Sequence, residues 1–131
     1  MKRAAATPAV QPPANPDRGE HELALAGETY RLRPSRQAIR ACESQTGLSL
    51  LALVRLGNTG ELTVDQLGAI ACHLIRAGAE DDLTRSVDAD RLADLIFEEG
   101  IVGITSRLTS ALCDAALGGR RASGEAKATT A

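Results

Sequence analysis

Apolar and polar residues alternate twice near the start of the chain. Leu23 and Leu25 alternate with Glu22, Ala24 and Ala26, and Tyr30 and Leu32 alternate with Thr29, Arg31 and Arg33. A period of two is the mark of a strand with one buried face. Gly27 stands between the two runs and supplies the positive φ that a tight hairpin needs. Pro34-Ser35 ends the second run. From there to Gly118 the period lengthens, and the chain reads as helix after helix.

Ser35 is the N-cap of a helix to about Thr46, with Ala38, Ile39 and Cys42 inward and Gly47 as its stop. Ser49 caps a second, short helix with Leu50, Leu53 and Val54 inward. Gly57-Asn58-Thr59-Gly60 reads as a break. Thr63-Val64-Asp65-Gln66 is a capping box, T-x-x-Q. It opens the most regular apolar stripe of the chain, Val64, Leu67, Ile70, Ala71, Leu74 and Ile75, which ends at Gly78. Residues 79–87 read as an acidic loop. Asp88 or Ser86 caps the next helix, which buries Leu92, Leu95 and Ile96 up to Gly100. The last helix carries Ile101, Ile104, Leu108, Ala111, Leu112 and Ala115. The fold class expected is mainly α (α+β), a small N-terminal β-hairpin followed by a compact bundle of four to five helices. Leu67, Ile70, Leu74, Leu95, Ile104 and Leu108 are expected to be buried together.

Composition sets the limits of that domain. Residues 1–19 hold four of the five prolines and one bulky aliphatic, Val10, and residues 119–131 hold no bulky apolar side chain. Neither segment can bury enough surface to offset the entropy of ordering it, so both are expected to be disordered tails, the first Ala/Pro-rich, around a single domain at 20–118. Pro8, Gln11, Pro12 and Pro13 interrupt any apolar signal segment after Lys2 and Arg3, and no run reaches membrane-spanning length. Three cysteines, Cys42, Cys72 and Cys113, are odd in number and far apart. That suits reduced thiols in a cytoplasm better than a disulfide framework.

The chemistry legible in the chain is sparse. Cys72 and His73 are neighbours, which point about 100° apart on a helix and do not share a metal readily. Neither C-x-x-C nor H-x-x-x-H occurs, the aspartates at 81, 82, 88 and 90 lack calcium-loop spacing, and the glycines form no phosphate loop. With no Trp, one Phe and one Tyr there is little on which to stack bases, and the net charge of −2 disfavours phosphate. The helix at 64–77 has acidic flanks, unlike a DNA-reading helix. No catalytic residue, cofactor, metal, small-molecule substrate, nucleic acid or membrane is expected, and the chain is not expected to be an enzyme.

Charge is uneven along the chain. Residues 31–55 hold Arg31, Arg33, Arg36, Arg40 and Arg55 against Glu43 alone, whereas residues 61–99 hold ten acids against three arginines. These are either two solvated faces or two poles that orient a protein partner or a second copy. Arg31, Arg33, Arg36 and Arg40 are the candidate partner-binding residues.

Read in order, the segments NPDRGEHELALAGETYRLR, AIRACESQTGLSLLALVRL, GELTVDQLGAIACHLIRAGAED and IFEEGIVGITSRLTSALCDAALGG resemble the small tail assembly protein of gene transfer agents and related tailed phages. That family is known both as tail tube proteins and as tail assembly chaperones. The resemblance covers about residues 15–119. It rests on the order of elements, on E-x-x-x-G after the first helix, and on L-x-x-x-G-A-E after the long one. It implies a role while a phage-like tail is built in the host cytoplasm. A chaperone of this kind coats the helical tape-measure protein, keeps it soluble, and leaves as tail tube subunits polymerise. The partners implied are the tape-measure protein, the tail tube protein, and further copies of the chain. A tube subunit needs a substantial β-sandwich, because tube rings continue their sheets from subunit to subunit. Strand signals confined to residues 21–33 therefore favour the chaperone. A structural tube component and a small cytoplasmic protein-binding regulator are the alternatives.

Overall fold

The alternating segment closes as an antiparallel hairpin of β1 (His21–Leu25) and β2 (Glu28–Leu32), with Leu23 opposite Tyr30 and His21 opposite Leu32. The computed structural model describes Ala14 and residues 20–118. The tails expected at 1–19 and 119–131 lie outside the described residues, Ala14 apart. The turn is made by Ala26 and Gly27, at φ 54° and 81°. Two successive positive φ values match the right-handed twist of the strands, and Gly27 adopts its value without steric cost. Ala26 does not, and its N–H is held by Glu99 Oε1 at 3.0 Å.

Five of the six helices among the described residues begin where a side-chain oxygen takes up an orphan backbone N–H group, and the sixth follows Gly100 with no side-chain cap. Ser35 Oγ accepts from Ala38 N at the start of α1 (Arg36–Thr46), and Ser49 Oγ from Ala52 N at the start of α2 (Leu50–Thr59). The capping box of α3 (Val64–Gly78) is complete: Gln66 N donates to Thr63 Oγ1 at 3.0 Å, and Thr63 N donates to Gln66 Oε1 at 2.8 Å. Asp88, not Ser86, caps α5 (Ala89–Glu99), which stops at Gly100 with φ 107° before α6 (Ile101–Ala116). The acidic stretch expected as loop holds a single helical turn, α4 (Asp82–Arg85), capped by Asp81 and tied by an Arg85–Asp82 ion pair at 2.8 Å. That turn brings the count among the described residues to six helices behind one hairpin.

The break expected at Gly57–Gly60 falls only at its end. α2 runs on through Gly57, Asn58 and Thr59, and Gly60 closes it at φ 74°. Gly57 is helical because α6 lies directly against it: a Cβ there would overlap the Thr109 side chain. Close packing outweighs the cost of about 1 kcal/mol for a mid-helix glycine.

α3 is the axis of the molecule. Leu67, Ile70, Ala71, Leu74 and Ile75 are fully buried, and α1, α5, α6 and β2 all pack on it. Gly68 lets α5 come close, since a Cβ there would meet Ala89 O and Ala93. Of the core expected from sequence, Leu67, Ile70, Leu74, Ile104 and Leu108 are buried, joined by Leu23, Leu25, Leu32, Leu53, Leu92, Ile96 and Leu112. Leu95 departs from the expectation: it sits at the core margin, half-buried. Cys42 is sealed in this core, and burial pushes its thiol up to about 12, with Cys72 and Glu43 adding to the effect. Cys72 is pushed up by burial as well, and its Sγ donates to Val87 O at 3.5 Å. None of the described helices is long and apolar enough to cross a membrane.

Candidate partner-binding surface

The four candidate arginines separate. Arg31 is only 7 % exposed and is not part of a docking surface. Strand alternation predicted an outward side chain, but the end of α3 covers this side of β2. Arg31 Nε donates to Gly78 O at 2.9 Å, one Nη donates to Glu80 at 2.6 Å, and Glu20 lies 3.8 Å from Nε. A cation at the last carbonyls of a helix satisfies an orphan acceptor and opposes the helix dipole. Arg31 therefore fastens the hairpin to α3, beside a backbone bond from Arg33 N to Leu74 O at 3.0 Å.

Arg33, Arg36 and Arg40 are exposed, and none makes an ion pair with a described residue. Arg36 and Arg40 stand one turn apart on α1. The neighbouring acid, Glu43, is engaged elsewhere: its Oε2 accepts from Leu50 N at 2.8 Å and so helps to start α2. The acids of 80–99 divide in the same way. Asp81 and Asp88 are caps, Glu80 holds Arg31, and Glu99 holds the hairpin turn, whereas Asp90, Asp94 and Glu98 point to solvent.

An open groove of about 890 Å³ runs along the outer face of α6. One wall is the end of α2, Gly57–Gly60, and one end is closed by Glu20 and His21. His21 Nε2 meets Asp114 Oδ2 at 2.8 Å, which ties β1 to α6. Its lining carries hydroxyls from Thr105, Ser106 and Ser110, whereas Thr109 Oγ1 is buried, and its apolar rim carries the exposed Ile101, Val102 and Leu117. Val102 is 82 % exposed. Sequence reading placed Ile101 on the inward stripe and gave Val102, Leu117 and Phe97 no role. A signal was present: Val102 and Phe97 both lie off the apolar period of their helices. Cys113 lines the same groove as His21. Among the described residues no group of three His, Cys, Asp or Glu side chains is placed to hold a metal ion. His73, across the molecule, meets Gln45 Oε1 at 2.7 Å, and its pKa is lowered by burial and then by Arg76.

A hairpin locked to the end of a long central helix, with the remaining helices packed around that helix, is the element order on which the tail-protein resemblance rested. A family model described as phage tail tube protein, GTA-gp10, matches residues 18–119. The chain belongs to that family. No curated protein and no solved structure matches it.

The two short motifs on which the resemblance to this family rested have structural explanations. In E-x-x-x-G, Gly47 sits at φ 75° and donates its N–H to Glu43 O, while the Glu43 carboxylate turns forward to the first N–H of α2. One glutamate and one glycine thus set the α1–α2 corner. In L-x-x-x-G-A-E, Leu74 O and Gly78 O receive the hairpin, Gly78 leaves room for the Arg31 backbone, and Glu80 takes the Arg31 guanidinium. The motifs shape the tail protein's frame, and the groove along α6 and the exposed Arg33, Arg36 and Arg40 lie outside them.

Proposed function

We propose that this phage tail protein acts as a non-enzymatic tail assembly chaperone, which holds helical segments of the tape-measure protein in the host cytoplasm and leaves as the tube forms. The observation that carries the reading is the small share of sheet. Among the described residues there is one hairpin of two five-residue strands, and β1 and β2 are engaged with α6 and α3. A tube wall that continues sheets between subunits needs long, free strand edges. Helical surface is what this chain offers, and helical surface is what a binder of helices uses.

The groove along α6 is the place for such a segment. Its apolar rim takes the apolar stripe of an amphipathic helix, and the hydroxyls of its lining tolerate polar neighbours at any register. A rim built from Ile101, Val102 and Leu117 gives contact area without demanding one side-chain pattern. That suits a partner whose helix is long and repetitive. The family's description as a tail tube protein favours a second reading, a structural component retained in the particle.

Coexpression separates partner binding from folding. The tape-measure protein should remain soluble and co-purify when this chain is present. Val102→Asp should abolish both effects while leaving the melting temperature within about 4 °C, because the side chain is exposed and surface changes shift stability by at most about 0.5 kcal/mol. A tape-measure protein whose solubility does not respond to this chain would contradict the reading.

A further inference from the structure

Among the described residues that line the groove along α6 there is no lysine and no arginine. Its two carboxylates, Glu20 and Asp114, stand together at the end that His21 closes. Glu20 shares its charge inside the molecule, since its Oε1 lies 3.8 Å from Arg31 Nε. Asp114 is therefore the carboxylate that matters to a ligand.

Asp114 occupies a place where an anion is costly. It is 7 % exposed. It lies in the last turn of α6, where the helix dipole disfavours negative charge, and that turn holds no basic residue. Oδ2 meets His21 Nε2, and no described residue donates to Oδ1. A neutral imidazole that donates to a carboxylate leaves the negative charge in place. The C-terminal turn of α2 forms one wall and adds the negative partial charge of its own last carbonyls. A buried carboxylate with one donor gains from a second donor that is charged.

We propose, resting on the reading of the groove as a helix site, that its Asp114 end is a subsite for a basic side chain of the bound helix, an arginine beside the apolar stripe. From Ile101 to Leu117 the groove follows α6 for about 24 Å, which is about four turns of a partner helix. The apolar rim gives contact along that length and fixes neither register nor direction. The acidic end fixes both. A helix with its cation near one end lies with that end at Asp114 and the other end at Val102. Arginine suits the place better than lysine, because a guanidinium holds its water less tightly than an ammonium and offers several donors in one plane.

Three helical peptides of about sixteen residues test this on the full chain. They share one apolar stripe and carry Arg, Gln or Glu at a single flanking position near one end. Fluorescence anisotropy is read at about pH 8, above the ordinary histidine range. The Arg peptide should bind about tenfold more tightly than the Gln peptide, and the Glu peptide more weakly than either. In Asp114→Asn the Arg and Gln peptides should bind alike. The wild-type series stands without that variant. Cys113, next to Asp114, reports position. Its thiolate attacks a pyridyl disulfide on the peptide, forming the mixed disulfide and releasing pyridine-2-thiolate, while Cys42 and Cys72 are buried. Coupling should be faster with the disulfide beside the Arg than with it at the opposite end.

If none of the peptides binds, the groove is not a helix site and the subsite falls with it. If all three bind alike, if Asp114→Asn keeps the Arg preference, or if coupling ignores the position of the disulfide, the groove remains a helix site and the subsite alone is overturned. Arg120 and Arg121 follow α6 closely in the sequence. An Arg preference that emerges only after Arg120→Gln and Arg121→Gln would assign the place to the chain's own arginines and overturn the subsite as well.

Discussion

Gly78→Ala should destabilise the protein by about 2–4 kcal/mol, against the direction that helix propensity alone gives. Alanine in place of a helical glycine is normally worth about 1 kcal/mol of added stability. At Gly78 a Cβ would overlap the Arg31 carbonyl oxygen, and it would stand 3.0 Å from the carbonyl carbon and 3.4 Å from Arg33 N. All three are backbone atoms, which have no rotamer by which to step aside. The strand must retreat, and retreat breaks the Arg33 N–Leu74 O bond and lengthens the Arg31 Nε–Gly78 O bond. Overpacking costs about 1–3 kcal/mol, and each weakened buried hydrogen bond adds about 1 kcal/mol. Gly103→Ala is the control, since nothing lies within 4 Å of a Cβ there. It should leave the melting temperature unchanged or raise it, whereas Gly78→Ala should lower it by on the order of 10 °C. Thermal unfolding followed by circular dichroism measures both. If the two variants behave alike, the hairpin is not locked to α3 as described.

Leu74→Ala should cost about 2–5 kcal/mol, the range for a fully buried leucine whose surroundings collapse only partly. Leu74 is wholly buried near the C-terminal end of α3, and its own carbonyl receives the hairpin. A cavity beneath it loosens α3 and β2 together. Leu95→Ala should cost clearly less, because that side chain is only partly buried at the margin of the core. Denaturant unfolding gives the comparison, with similar slopes and shifted midpoints expected. Equal costs at the two positions would mean that the core is not centred on α3.

The contrast between Leu74 and Leu95 shows what the sequence discloses and what it withholds. The hairpin, the caps at Ser35, Ser49 and Thr63 and the stop at Gly47 were legible because one or two adjacent residues decide each of them. Leu74 was legible because it lies on a long stripe, whereas Leu95 lies at the edge of a short one. Gly57 was misread as a break because its role depends on Thr109, fifty-two positions away. Arg31 was misread as a surface cation for the same reason: its partners Gly78 and Glu80 come from another element. The exposed arginines Arg33, Arg36 and Arg40 followed from local charge. The groove did not, because residues 20–21, 57–60 and 101–117 meet only in three dimensions. Local rules reach a few residues, and surfaces shared by distant elements lie beyond them.

The central claim is that this member of the family helps to build the tail and does not remain as its wall. The most direct test is the copy number of the chain in purified, tail-complete particles, by quantitative mass spectrometry with labelled reference peptides. The chaperone reading predicts that the chain is nearly absent, far below the protein that forms the tube, while it is plentiful in the producing cells. A copy number equal to that of a repeating tube subunit would contradict the reading and make the chain a structural part of the particle.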